Sequence, residues 1–203
     1  MAKEANVHLI GGSFPEKLND KFYNTCTIFD NKGLLLGIHR KIHLFDINIK
    51  GKQTFKESEI LSPGNEVTMV KTKFGPIGIG ICYDLRFPEL AMIAARKGCI
   101  AMIYPGAFNT TTGPLHWELL LRSRAVDNQF YVAACSPARD LSATYHAYGH
   151  SIIIDPMGKI LSECGENEDI VYGEIDLQFL KDTRESIPVS IQRRFDIYKD
   201  VSE

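Results

Sequence analysis

The 203-residue sequence lacks any apolar run long enough to cross a bilayer, which excludes a helical membrane span. It lacks an excess of charge: the net charge is −2, so neither a nucleic acid nor an acidic membrane surface is expected as partner. Paired cysteine spacing is absent too. Cys26, Cys82, Cys99, Cys135 and Cys164 are odd in number and scattered. That argues against a disulfide framework or a zinc site and for reduced thiols in a cytoplasm-like compartment, the mitochondrial matrix being compatible. Residues 1–6 are polar, without the apolar core of a signal peptide, so secretion is not indicated. No linker and no low-complexity segment interrupts the chain. A hydrophobic share of 44% and a charged share of 24% are those of a soluble domain with a real core.

The most informative stretch runs from Gly75 to Leu90. Isoleucines alternate with glycines up to Cys82, so one face of the predicted strand carries little bulk and its backbone can be approached closely. Pro88 suits the first turn of a helix, Leu90, Ile93 and Ala94 continue at helical spacing, and Lys97-Gly98 ends it. Cys82 is therefore predicted at a strand-to-helix corner, where the positive end of a helix would lower its thiol toward thiolate. Most cysteines after an apolar strand are merely small buried hydrophobes. Here Asp84, Arg86 and Glu89 crowd the following positions, more charge than a turn requires.

Around this corner the pattern predicts strands at residues 7–10, 23–29 and 34–38, the last two joined by the turn Asp30-Asn31-Lys32-Gly33. A polar loop is expected to about Asn65, then a hairpin about Phe74-Gly75, with strands at 66–73 and 77–82. Helices are predicted over residues 85–97, 115–127 and 177–185, and strands over 99–104, 130–135 and 170–175. Residues 150–161 repeat the strand–turn–strand design with an Asp-x-x-Gly turn. Alternating strands and amphipathic helices indicate an α/β domain with helices layered on sheets. The tail, 187–201, is too polar for a core of its own but keeps large apolar groups. It is expected either to dock on a neighbour or to fray.

A thiol nucleophile needs a proton acceptor and a group to hold the oxyanion that forms on attack. Lys41, directly after a strand, is the candidate cation; the alternative is a solvated strand-end lysine. Glu118 lies on the predicted helix among Trp117 and leucines, where it could move protons, or pair with Arg122 at i+4. Arg86 offers a planar fork for a substrate carboxylate, or an ion pair with Asp84 or Glu89. His39 and His43 lie at i and i+4 but lack an HExxH context and a third ligand, and are read as structural.

Taken together, residues 23–29, His39-Arg40-Lys41-Ile42-His43-Leu44-Phe45-Asp46, 80–90, 104–113, 116–128 and 148–158 resemble the carbon–nitrogen hydrolase (nitrilase) superfamily over almost the whole chain. Within it, His-Leu-Phe-Asp-Ile at 43–47, Gly-Ala-Phe-Asn at 106–109 and the segment 122–128 most resemble the omega-amidase (2-oxoglutaramate amidase) branch. The resemblance implies an α-β-β-α sandwich and a Glu–Lys–Cys triad without metal or cofactor. Its cysteine matches Cys82, its lysine Lys41 and a further carboxylate Glu118. Arg86 would hold the distal carboxylate of a short ω-amido 2-oxo acid. The Tyr83 backbone N–H would face the oxyanion, and Phe108 and Thr112 would line the pocket. Residues 1–180 form the hydrolase domain in this reading; 181–203 form a tail whose Arg193–Tyr198 segment resembles a dimer-stabilising terminus, which implies a homodimer.

The family's general-base glutamate follows a proline on a strand that should precede residues 2–7, so that strand, a second one and their helices are expected to be missing from this sequence. Phe14-Pro15-Glu16 mimics the motif, but its context matches a later segment, and Glu16 is read as a surface loop residue. Two further readings stay open at this stage. One is a non-catalytic binding or assembly subunit of the same fold; the other is a hydrolase resembling deaminated-glutathione amidases.

Overall fold

The computed structural model describes residues 1–51 and 53–203. The elements run α1 (Ala2–Ala5), β1 (Leu9–Ile10), β2 (Phe14–Leu18), β3 (Lys21–Phe29), β4 (Leu35–Arg40), β5 (Asp46–Ile49), β6 (Gln53–Lys56), β7 (Thr68–Thr72) and β8 (Gly75–Ile79). They continue with α2 (Pro88–Arg96), β9 (Ala101–Pro105), α3 (Gly113–Asn128), β10 (Tyr131–Cys135), β11 (Ile152–Ile154), β12 (Ile160–Glu163) and α4 (Leu177–Ser186).

Two sheets stack. In the four-stranded one, β3 pairs with β1 and β2 along one edge and β4 along the other, all antiparallel. The six-stranded one has the order β12-β11-β10-β9-β8-β7. Its centre, β8-β9-β10, is parallel, because α2 and α3 carry the chain back between successive strands. β7, β11 and β12 are antiparallel additions.

Local chemistry explains the turns. Asp30 Oδ1 accepts from the N–H groups of Lys32 and Leu34, both at 2.8 Å, while Gly33 takes φ 82°. Asp155 repeats the device with the N–H groups of Met157 and Lys159 at 2.8 and 2.9 Å, and Gly158 at φ 79°. The isoleucine–glycine alternation has the expected use. Ile79 and Ile81 meet Cys26, Ile28 and Val70 between the sheets. On the opposite face a Cβ at Gly78 would lie 2.5 Å from the Met102 sulfur, and one at Gly80 would lie 2.6 Å from the Tyr104 ring. The larger core fills the space between the six-stranded sheet and the helices, with Leu90, Ala91, Ala94, Trp117, Leu121 and Ala125 fully or nearly fully buried.

The layers are thus sheet, sheet and helices. The second helical layer of the expected sandwich is not among the described residues, and the outer face of the four-stranded sheet leaves Phe14, Leu18, Leu36 and Ile38 exposed. No described helix is long and apolar enough to cross a membrane.

Four expectations are corrected. Residues 14–18 form a strand rather than a loop: Glu16 sits on it in a two-pronged ion pair with Arg40, 2.7 Å per prong, and accepts from Thr25 Oγ1. The polar stretch to Asn65 contains the β5–β6 hairpin and a 3₁₀ turn, Glu57–Glu59. Residues 170–175 form no strand; Gly173 packs on the Ile153 side chain of β11 instead. The tail docks on its own domain: Arg96 pairs with Asp200 at 2.7 Å and lies over the Phe195 ring.

Candidate active site

Cys82 opens a 3₁₀ turn, Cys82–Arg86, at the end of the β8 limb. Its φ is 47°, a left-handed value uncommon for a residue with a Cβ, and the strain points to a side chain held for use. The turn closes when Asp84 accepts from the Ile81 N–H at 2.9 Å and gives its own N–H to the Ile81 carbonyl at 3.0 Å. Gly106 permits the close approach of the β9 limb: a Cβ there would lie 2.7 Å from Cys82 Cα. The thiol faces the Ala107 carbonyl at 3.6 Å. Burial pushes the thiol's pKa up, and Glu57 and Asp84 add to the rise; the Lys41 charge opposes it. The expected lowering toward thiolate is opposed by burial, because loss of hydration outweighs the attraction of the ammonium.

Lys41 extends β4, giving its N–H to the Asn24 carbonyl at 2.8 Å. Its side chain is only 3% exposed, and Nζ donates to Glu57 Oε2 at 2.6 Å. The same oxygen accepts from the Phe45 N–H at 2.6 Å. The ion pair is thus fixed at both ends, on β4 and on the 3₁₀ turn after β6.

These groups share a cavity of about 560 Å³. Lys41, Glu57, Cys82, Tyr83, Arg86, Phe108 and Thr112 all line it, as do Cys135 and Tyr145. Arg86 lies between aromatic faces, 4.8 Å from the Phe108 centroid and 5.6 Å from that of Tyr83, and donates to His116 Nδ1 at 3.2 Å. Burial lowers its pKa. Among the described residues no carboxylate pairs with it: Asp84 faces the other way, and Glu89 is exposed on α2. Phe108 is buried edge-on to Trp117. Thr112 is held by Asn109, whose Oδ1 accepts from its N–H and Oγ1.

Glu118 is the predicted site residue placed elsewhere. It is half-exposed on α3, pairs with Arg122 Nη1 at 3.1 Å and does not line the cavity. The expected role for it is corrected on that ground, since the helix turns Trp117 into the core and its neighbour out. Glu57 holds the corresponding position and was not singled out by the sequence. It lies in a mixed polar segment without periodicity, and its partner is 16 residues away. His39 and His43, read as structural, both bond Asp84. No cluster of three or more metal-ligating side chains occurs among the described residues.

Asp84 is fully buried, which alone would raise its pKa; hydrogen bonds from His39, His43 and the Ile81 N–H outweigh this and hold it at about 2, against an ordinary 3.8. A depressed carboxyl stabilises the fold above its unfolded pKa and loses that contribution as pH falls through the folded one. The contribution is roughly 2 kcal/mol. The stability difference between the native chain and Asp84→Asn, measured by urea unfolding, is expected to shrink from about pH 4 to about pH 2. A difference independent of pH over that window would contradict it.

The carbon–nitrogen hydrolase family model matches residues 1–185. A hydrolase of Schizosaccharomyces pombe is 57% identical over 201 residues, 99% of this chain and 62% of that protein. An omega-amidase of Saccharomyces cerevisiae is 57% identical over 204 residues, 100% of this chain and 70% of that protein. The chain thus spans between three-fifths and three-quarters of the length of these relatives. The crystal structure of Nit3 from Saccharomyces cerevisiae, a member of branch 10 of the nitrilase superfamily, superposes with a TM-score of 0.88 at 56% identity, covering 96% of this chain and 69% of that one.

Proposed function

This chain belongs to the carbon–nitrogen hydrolase family, and on that premise we propose that it is an omega-amidase. It would hydrolyse the terminal amide of short 2-oxo dicarboxylic acid monoamides, such as 2-oxoglutaramate and 2-oxosuccinamate, to the 2-oxo dicarboxylate and ammonia. The observation that carries the substrate class is Arg86, a guanidinium with no carboxylate partner among the described residues, lining the same cavity as Cys82. Its fork matches two carboxylate oxygens, and the flanking Tyr83 and Phe108 rings keep it aimed into the cavity.

The reaction proceeds in two halves. Cys82 Sγ attacks the amide carbon and its proton passes to a carboxylate; Glu57 is the carboxylate that the described residues bring to the cavity. The Lys41 ammonium and the Tyr83 backbone N–H face the oxyanion. The carbon–nitrogen bond breaks, the proton leaves with ammonia, and a thioester remains. Water then adds to the thioester carbon, gives a proton to the carboxylate, and the carboxylic acid departs as the thiol reforms.

Arg86→Ala is expected to raise KM for 2-oxoglutaramate by about 10- to 100-fold, with a much smaller change for a neutral amide of equal length. Ammonia release by the native chain and this variant on both amides tests the reading. Equal losses on both would remove the clamp. No release from 2-oxoglutaramate by the native chain would remove the activity. We also propose a homodimer, supported by the exposed Leu115, Leu119 and Val126 along α3; sedimentation at the mass of one chain would contradict it.

A further inference from the structure

We propose that the buried Asp84 carboxylate is a positioning residue that sets the Lys41 ammonium against the Cys82 thiol, by joining the strand that carries one to the turn that carries the other. The inference rests on the roles given to Cys82 and Lys41 above.

His39 lies at the end of β4 and His43 in the bend just beyond it, so along the chain they bracket Lys41. Both histidines end on Asp84. His39 Nε2 lies 3.1 Å from Oδ2. The His43 N–H and Nδ1 lie 2.9 and 2.8 Å from Oδ1. Oδ2 also accepts the Ile81 N–H at 2.9 Å. One carboxylate therefore closes two loops: Cys82 lies inside the loop from Ile81 to Asp84, and Lys41 inside the loop from His39 to His43.

An ionised carboxylate only accepts, which places a proton on His39 Nε2 and on His43 Nδ1. His39 Nδ1 lies 3.0 Å from the Thr68 hydroxyl, and the His43 ring stacks flat on Phe87 at 3.6 Å. Each member is thus held by a second contact. Asp84 and His39 are completely buried, so no solvent replaces a lost bond. A carboxylate that only stabilised the fold would not need to sit two residues from the nucleophile while bonding both neighbours of the cavity lysine.

The test uses alkylation of Cys82 by iodoacetamide at fixed pH, followed on the Cys82 peptide so that the exposed Cys135 does not interfere. Removing the Asp84 charge acts on the thiol in the opposite sense to losing Lys41, since Asp84 raises the thiol pKa and Lys41 lowers it. Simple charge removal in Asp84→Asn would therefore speed alkylation. Loss of positioning slows it, by about 10-fold, and lowers kcat by about 10- to 100-fold with KM within about 3-fold of native. In a Lys41→Met background the same substitution is expected to cause no slowing.

A second pair of variants keeps the test decisive should Asp84→Asn fold poorly. His43→Asn presents an amide nitrogen near the place of Nδ1, and is expected to recover most of the alkylation rate that His43→Leu loses. Unchanged or faster alkylation in Asp84→Asn, or equal rates in His43→Asn and His43→Leu, would overturn the proposal. Alkylation needs no amide turnover. A chain that releases no ammonia but shows this pattern would sink the omega-amidase reading and leave the positioning role standing.

Discussion

Replacing Cys82 by alanine is expected to lower ammonia release from 2-oxoglutaramate by roughly 10⁴-fold or more, because no other group at the corner can form the acyl bond. The fold should survive. Alanine tolerates φ 47° as well as cysteine does, and among the described residues the only hydrogen bond lost is the 3.6 Å contact with the Ala107 carbonyl. Stability is expected to change by about 1 kcal/mol or less. The measurements are ammonia release, and mass spectrometry after brief exposure to substrate. A thioester adduct on the native chain, absent from the variant, is the expected pair of results. Undiminished turnover in the variant would take Cys82 out of the chemistry altogether. The exposed Cys135, which also lines the cavity, then becomes the thiol to examine.

Lys41→Met is expected to produce the second largest loss, about 10³-fold in kcat, because an ammonium aimed at a developing oxyanion is worth several kcal/mol when its side chain is, as here, only 3% exposed. It carries a folding cost as well. Glu57 is largely buried, with 13% of its side chain exposed, and among the described residues would keep only the Phe45 N–H as a partner. Breaking such a pair from one side costs roughly 3 kcal/mol. Glu57→Gln on top of Lys41→Met should return much of that stability and none of the activity, since a neutral amide can still accept from Phe45. Thermal unfolding and ammonia release on the two single variants and the double variant separate the terms. Recovery of activity in the double variant would mean that Lys41 serves only to neutralise Glu57.

The site was legible in part, for reasons particular to each residue. Cys82, Arg86 and Thr112 sit at ends of elements, where glycine, proline and hydroxyl residues act over a few positions, so their neighbourhood could be read locally. Lys41 was legible only through its company. Glu118 and Glu57 show the limit. Both are glutamates in charged surroundings, and the helical position of Glu118 beside Trp117 made it look the drier of the two. Packing reversed the order: α3 turns Trp117 inward and leaves Glu118 half-exposed, while the β5–β6 hairpin carries Glu57 onto Lys41.

The strand-to-helix corner at Cys82, the two Asp-x-x-Gly hairpins and the α/β class follow from local residue order alone, because turn chemistry and hydrophobic period act within a few residues. Which carboxylate meets Lys41, the gathering of His39 and His43 by Asp84 from 45 and 41 residues away, and the upward push of burial on the Cys82 thiol all come from the folded packing. Charge pairing and ionisation depend on which surfaces are dry, and dryness is set by segments distant in the chain.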